Sequence, residues 1–296
     1  MQTSQDILCI GSVLWDMVGR TDRHMKSGAD VPGRIETLPG GVALNIAMTL
    51  SGFGLRPALL SVVGDDAEGH ALVQRCVSMG LVTEYLYRSK DLPTDRYMAI
   101  EGANGLVAAI ADAHSLEAAG DKILSALSDG RLGSADAPFE GVVALDGNLT
   151  TVLLAEIARS PLFAKADLRI APASPGKAER LMPLISHPNA TFYVNREEAS
   201  ILCQSKFEDS ASAAKGLVGR GLGRVLVTDG GDPASEGTPD GVRSMTPPPV
   251  LVTRVTGAGD TFMAAHIAAE LRGETPEAAL QTALNAAAAY VCGETE

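Results

Sequence analysis

The sequence is short of aromatic side chains, which make up 4% of its 296 residues. A core with so few rings must rest on Ala, Val, Leu and Ile, and hydrophobic residues reach 46%. With 31 glycines, that balance argues for a parallel sheet flanked by helices and against a β-sandwich. Positive charge is also in deficit. Lys and Arg number 24 against 36 Asp and Glu, a formal net charge of −12. So acidic a chain is a poor general binder of nucleic acid or anionic membrane. A phosphate ligand would have to be held by local backbone N–H groups and a metal ion. Cysteine is sparse: Cys9, Cys76, Cys203 and Cys292 form no Cys-x-x-Cys pair. They read as reduced core residues of a cytoplasmic protein. No apolar run approaches a membrane span, and residues 1–6 lack the apolar core of a signal peptide. No repeat or low-complexity segment is present. The length suits a single domain over residues 1–296 with a small appendage.

The most informative stretch is Thr256-Gly257-Ala258-Gly259-Asp260. It follows the apolar run 250–252 and opens a helical pattern through Phe262, Ala265 and Ala269, with Gly273 as a stop. The small residues let backbone approach a ligand, and N–H groups at a helix N-terminus favour an anion. A carboxylate there repels the anion unless it handles a proton. Phosphoryl transfer needs that combination: N–H groups on the moving phosphate, and an acid that takes the proton of the attacking hydroxyl. The plainer alternative is that Asp260 caps the helix and the glycines make a tight turn.

Along the chain, apolar runs at 7–11, 57–63, 141–145, 167–171, 191–194, 224–227 and 250–252 are expected to be strands. Helical patterns separate them, as at 153–158, 211–218 and 278–291. One helix is expected to set Leu72, Val73, Cys76 and Val77 on one side. Repeated β-then-α units specify an α/β fold, three layers α/β/α with a mainly parallel central sheet. Segments 17–38 and 94–112 break the pattern. The second holds strands at 96–101 and 106–111 around an Asn-Gly hairpin signal. Together the two could build a small separate sheet, a lid that excludes water. Residues 232–249 read as surface loop with room for a short hairpin.

Polar residues gather just past the strands, where ligands of open α/β sheets bind. Asp16 could accept substrate hydroxyls or be a solvated loop carboxylate. Gly41 allows close backbone approach, and Asn45 could meet a ligand or cap its helix. Asp65 and Asp66 suit a helix N-terminus and can be purely structural. Asn195 and Glu198, three apart, could hold Mg²⁺ through water or form a capping box. Thr228 and Gly230 could contact nucleotide phosphate or form an ordinary turn. Asn285 lies in an Ala-rich helix that packs on adenine or simply in the core. A dinucleotide-binding Gly-x-Gly-x-x-Gly is missing after the first strand, where Gly11-Ser12-Val13-Leu14-Trp15 stands.

In this order (Gly11 and Asp16, Gly40-Gly41 and Asn45, Gly64-Asp65-Asp66, Asn195-x-x-Glu198, Thr228-Asp-Gly-Gly, Thr256-Gly-Ala-Gly-Asp260) the motifs resemble the ribokinase-like (PfkB) family of sugar and nucleoside kinases. The resemblance implies the α/β domain with its β-lid, and ATP and Mg²⁺ as cofactors. It makes Asp260 the catalytic base, with the N–H groups of Gly257, Ala258 and Gly259 as the anion hole. Asn195 and Glu198 would position Mg²⁺ and the phosphates. Asp16, Gly41 and Asn45 would bind sugar hydroxyls, and Thr228, Gly230 and Asn285 would line the ATP site. Pro93-Thr94, Tyr97, Asp146-Gly-Asn148-Leu149 and Pro172-Ala-Ser174 with Lys177 resemble the pseudouridine kinases within it. The implied reaction is phosphorylation of pseudouridine at its 5′-hydroxyl. Another sugar or nucleoside kinase, ribokinase- or adenosine kinase-like, and a non-catalytic ligand-binding homologue are the alternatives. The implied partners are a small-molecule nucleoside or sugar and ATP, with a homodimer through the lid left open. Two residues depart from the pattern. Arg254 stands where relatives carry an Asp that helps hold a monovalent cation, so activity independent of K⁺ is expected. Ala171 stands where several relatives carry Asp.

Overall fold

The computed structural model describes residues 5–294; residues 1–4 of the polar N-terminal stretch and residues 295–296 lie outside the described residues. The chain opens with β1 (Ile7–Ile10), every residue of which is buried. Successive strand side chains point to opposite faces, so this unbroken apolar run means that both faces are covered. β2 (Leu14–Arg20) and β3 (Arg34–Gly40) pair antiparallel and lead into α1 (Val42–Gly52). Then come β4 (Pro57–Leu60), β5 (Val62–Gly64), α2 (Ala67–Ser78) and β6 (Tyr87–Ser89). A hairpin of β7 (Arg96–Gly102) and β8 (Gly105–Asp112) precedes α3 (His114–Ala119). The second half alternates: β9 (Val142–Asp146), α4 (Thr151–Ile157), β10 (Asp167–Ala171), β11 (Ala190–Asn195), α5 (Arg196–Cys203), α6 (Ser210–Gly219) and β12 (Arg224–Asp229). The hairpin β13 (Asp232–Thr238) and β14 (Gly241–Met245) is followed by α7 (Ala258–Leu271) and α8 (Pro276–Cys292).

The large sheet runs β14-β13-β12-β11-β10-β9-β1-β4. From β12 to β4 every pairing is parallel, and β13 and β14 add an antiparallel edge. On one face Leu8, Ile10, Val143, Leu168 and Phe192 pack among residues of α3, α4 and α6. On the other, Ile7, Cys9, Ala144 and Leu226 meet α1, α7 and α8. The core is aliphatic, as the scarcity of rings requires. α7 is the most enclosed helix, with residues 261 to 269 all buried. A helix apolar all round belongs in the interior, and its small Ala side chains let α1 and α8 lie close. A second sheet, β3-β2-β7-β8, joins the two segments that broke the β–α alternation.

Three expectations change. The run 57–63 splits: β4 pairs with β1, but β1 ends at Ile10, so β5 leaves the large sheet and pairs with β6. The run 250–252 is no strand, and Leu251 is 82% exposed. Three prolines at 247–249 cannot donate ladder hydrogen bonds, and the segment crosses as loop to α7. Val77 is half exposed, so α2 buries Leu72 and Cys76 but not Val77. The short hairpin for which 232–249 had room does form, and its β13 extends the large sheet and buries Ser235 and Glu236.

Candidate active site

The parallel strands end their carboxyl termini around one cavity of about 1370 Å³. Asp16, Gly41, Asn45, Asn195, Glu198, Thr228, Gly230 and the whole run Gly257 to Asp260 line it. Asn285 does not. α8 turns Leu284, Ala288 and Val291 to the cavity, at helical spacing. Asn285, one residue beyond Leu284, points to solvent, where Gln281 Nε2 donates to its Oδ1 at 2.9 Å. Its placement in the ATP site is therefore corrected.

Asp260 lies in the first turn of α7, whose N-cap is Gly257 at φ 91°. No side-chain cap bond is formed there, so the capping alternative does not describe Asp260. Instead Asn45 Nδ2 donates to Asp260 Oδ2 at 2.9 Å across 215 residues. Asn45 likewise caps nothing: the N-cap of α1 is Gly41. Gly41 has φ 98°, and a Cβ there would lie 2.5 Å from the Ser12 carbonyl oxygen. Only glycine gives both that conformation and that approach. Removal from bulk water pushes the Asp260 carboxyl up to about 7, against the Asn45 hydrogen bond. The charges of Asp146, Glu198 and Asp16 act in the same upward direction. A carboxyl near 7 can take a proton at neutral pH.

Asp16 is not in a loop. It sits within β2, opposite Tyr97 of β7, and burial pushes it up to about 6. The small sheet thus delivers one carboxylate and one phenol to the cavity wall. Asn195 and Glu198 do form a capping box at the start of α5: Glu198 N donates to Asn195 Oδ1, and Asn195 N donates to Glu198 Oε2, each at 2.8 Å. Burial pushes the Glu198 carboxyl up to about 7. The box uses one oxygen of Glu198. Among the described residues no cluster of three or more His, Cys, Asp or Glu could hold a metal. Mg²⁺ bound mostly by phosphate oxygens and water asks for one protein carboxylate, and the second oxygen of Glu198, outside the capping box, could supply it. The raised carboxyls of Asp260 and Glu198, which repel each other, fit a nearby cation that would relieve them. Thr228 lies near the end of β12, opposite Asn195 of β11, and Gly230 lies in the β12–β13 turn at φ 60°. Asp66 accepts from Gly69 N at the start of α2 and from Thr94 N and Oγ1, which is the structural role expected.

The sequence did not point out a buried network beneath the acceptor end. Asp146 Oδ2 accepts from Ser12 N, Ser12 Oγ and Ala43 N. Asn148 Nδ2 donates to Ser12 Oγ, and Lys177 Nζ donates to Asn148 Oδ1 at 2.6 Å. These residues follow β1, β9 and β10, which are neighbours only in the strand order. Polar residues just past two apolar runs were the available signal.

The profile of the pfkB family of carbohydrate kinases matches residues 4–295. A ribokinase of Bacillus subtilis (strain 168) is 28% identical over 300 residues, 97% of this chain and 93% of that protein. A pseudouridine kinase of Escherichia coli (strain K12) is also 28% identical, over 273 residues, 89% of this chain and 83% of that protein. The structure of Arabidopsis thaliana ribokinase complexed with ribose and ATP superimposes with a TM-score of 0.77 at 20% identity, covering 98% of this chain and 93% of that one. The chain belongs to the pfkB family of carbohydrate kinases, phosphotransferases that act on hydroxyl groups.

Proposed function

We propose that this kinase transfers the γ-phosphoryl group of ATP to the 5′-hydroxyl of a nucleoside, and that the nucleoside is pseudouridine. The observation that carries the proposal is Asp260, a cavity-lining carboxyl raised to about 7 in the first turn of α7. Asp260 takes the proton of the acceptor hydroxyl. The oxygen forms its bond to the γ-phosphorus while the bond to the ADP oxygen breaks. The N–H groups at the start of α7, Gly257 to Gly259, face the phosphoryl oxygens as charge develops there. Asn45 fixes the Asp260 carboxylate and, with Asp16 and Gly41, binds ribose hydroxyls. Thr228 and Gly230 contact the nucleotide, and Asn195 and Glu198 would hold Mg²⁺, which would supply charge neutralisation at the phosphates. The small sheet closes over the acceptor as a lid.

The choice of a nucleoside rests on Tyr97, Asn148 and Lys177, which line the same cavity beyond the groups a bare sugar needs. The relatives are divided. The ribokinase matches at the same identity over a longer span, which favours a free sugar as the second reading. An ADP-release assay with Mg-ATP and pseudouridine, uridine, adenosine, inosine, ribose and fructose 6-phosphate separates them. Selective turnover of pseudouridine supports the proposal. Preference for ribose replaces the nucleoside, and no turnover with any acceptor removes the catalytic reading.

A further inference from the structure

α8 ends beside the loop that leads into α7, and the two are laced together. Thr253 N and Arg254 N donate to the Val291 carbonyl at 2.8 and 3.2 Å. Arg254 Nε donates to the Tyr290 carbonyl at 2.8 Å. The Arg254 guanidinium also lies flat enough over the Tyr290 ring to sit 3.9 Å from its centroid. The other end of the same ring reaches the turn: Tyr290 Oη donates to the Thr256 carbonyl at 2.9 Å. The ring then packs on Gly257, where an added Cβ would lie 2.5 Å from Tyr290 Oη. Arg254 itself does not line the cavity, whereas Thr256 and Gly257 do.

We propose that Arg254 and Tyr290 form a clamp that positions the Thr256–Gly257 turn, and through it the N–H groups at the start of α7. Neither side chain touches the reacting atoms in this arrangement; both are positioning residues. The proposal rests on the kinase reading. The logic is one of leverage. Gly257 is in the left-handed region and carries no side chain of its own. The plane after it is held within α7, where Thr261 N and Oγ1 each donate to the Gly257 carbonyl at 3.0 Å and Ala258 N donates to the Val255 carbonyl at 3.1 Å; the plane before it carries the Thr256 carbonyl, which Tyr290 reaches. The hydroxyl of Tyr290 fixes one of those planes by its carbonyl. Arg254 holds the ring by its face and by the backbone behind it, a cation–π contact joined to a charge-assisted hydrogen bond. Donors aimed at a transferring phosphoryl group lose effect steeply when misplaced, and that loss falls on turnover more than on binding.

The test is a double-mutant cycle of Arg254→Ala and Tyr290→Phe, assayed by ADP release with the acceptor that the wild type prefers. Each single variant should lower kcat by about tenfold, with KM for ATP changed less than about twofold. The double variant should be no worse than the poorer single one, because both act through one turn. Arg254→Lys should recover part of the loss. Arg272→Ala is the control: its guanidinium also lies over a ring, that of Phe53, but remote from the cavity, and its kcat should not move. A merely structural role would lower the melting temperature and the active fraction while leaving kcat per active site unchanged, and that result overturns the clamp. So do losses that multiply in the double variant. If Arg254→Ala does not fold, Tyr290→Phe, which removes one oxygen, carries the kcat and KM test. A wild type that turns over no acceptor overturns the kinase reading and the clamp with it; a wild type that turns over while the variants match it overturns the clamp alone.

Discussion

At the scale of single residues, the chemistry turns on where water is kept out. Asp260 would be an ordinary weak base in solvent; burial brings its carboxyl to about 7. Its ionised fraction therefore grows as pH rises through that value. For the free enzyme, kcat/KM should climb about tenfold per pH unit below 7 and level off above it. Asp260→Asn should lower kcat by about 10²–10⁴-fold with little change in KM, and should abolish that limb of the profile. Near wild-type turnover in the variant would remove Asp260 from the mechanism. Arg254 carries a second expectation. With a guanidinium over Tyr290 where the family resemblance leads one to expect a carboxylate, kcat should be indifferent to replacing Na⁺ by K⁺ at fixed ionic strength. A several-fold rise in K⁺ would sink it. The sequence made Asp260 legible because a charged residue beside an anion-binding turn needs a reason. It left Asn45 open between a ligand and a cap, and the family resemblance put Asn285 in the ATP site, for one cause: local pattern gives a residue's helix, not which neighbour its side chain faces. Asn45 lines the cavity and bonds Asp260; Asn285 does not line it and bonds Gln281 in solvent.

At the scale of elements, α5 shows that a structural and a functional reading can describe the same pair. Its capping box is fully formed, yet Glu198 also lines the cavity with its carboxyl raised to about 7. An ordinary glutamate ionises near 4.5. Between those values the unfolded chain has released a proton that the folded chain keeps, so this group lowers stability as pH rises from about 4.5 to about 7. Glu198→Gln keeps an oxygen for the Asn195 N–H and removes the ionisation. Its melting temperature relative to wild type should rise as pH goes from about 5 to about 8. If Glu198 also holds Mg²⁺, the Mg²⁺ needed for half-maximal turnover should increase by about 10–100-fold. An unchanged Mg²⁺ requirement would leave Glu198 as a cap alone. Elements were legible where period and punctuation agreed, as in the Asn-Gly hairpin of β7 and β8. They were not where an apolar run lacked a partner strand. The segment at 250–252 has the residues of a strand but follows three prolines and meets no edge.

At the scale of the molecule, the β-then-α rhythm was enough to give the layered sheet, but not the strand order, and several side-chain networks depend on that order. The largest lies where β10, β11, β12 and α7 meet. Arg169 Nη1 donates to Tyr193 Oη at 3.0 Å and pairs with Glu270, which also pairs with Arg224. The phenol oxygen also lies 2.9 Å from His266 Nδ1, a hydrogen bond whose direction follows the imidazole tautomer. His266 Nε2 is buried with no hydrogen-bond partner among the described residues. A second proton would charge a ring that is wholly inside the protein, near Glu270 but also near Arg169 and Arg224. Burial dominates and lowers the His266 pKa from 6.5 to about 4. In that window the unfolded chain binds a proton that the folded chain refuses. Stability contributed by neutral His266 is therefore present above 6.5 and lost as pH falls to about 4, and a shift of that size is worth about 3 kcal/mol. Glu270, held by its arginines at about 2, loses its contribution only in a lower window, from its ordinary 4.5 downward. The raised carboxyls of Asp16, Glu198 and Asp260 favour the folded state as pH falls and oppose this loss, so the His266 contribution is read from urea unfolding at about pH 7, 6 and 5 as the difference between wild type and variant. His266→Gln, which can still hydrogen-bond Tyr193, should gain stability relative to wild type as pH falls through this range, whatever its stability at neutral pH. An equal slope in the two proteins would mean that acid acts on some other group, and that His266 is protonated at no cost where it lies.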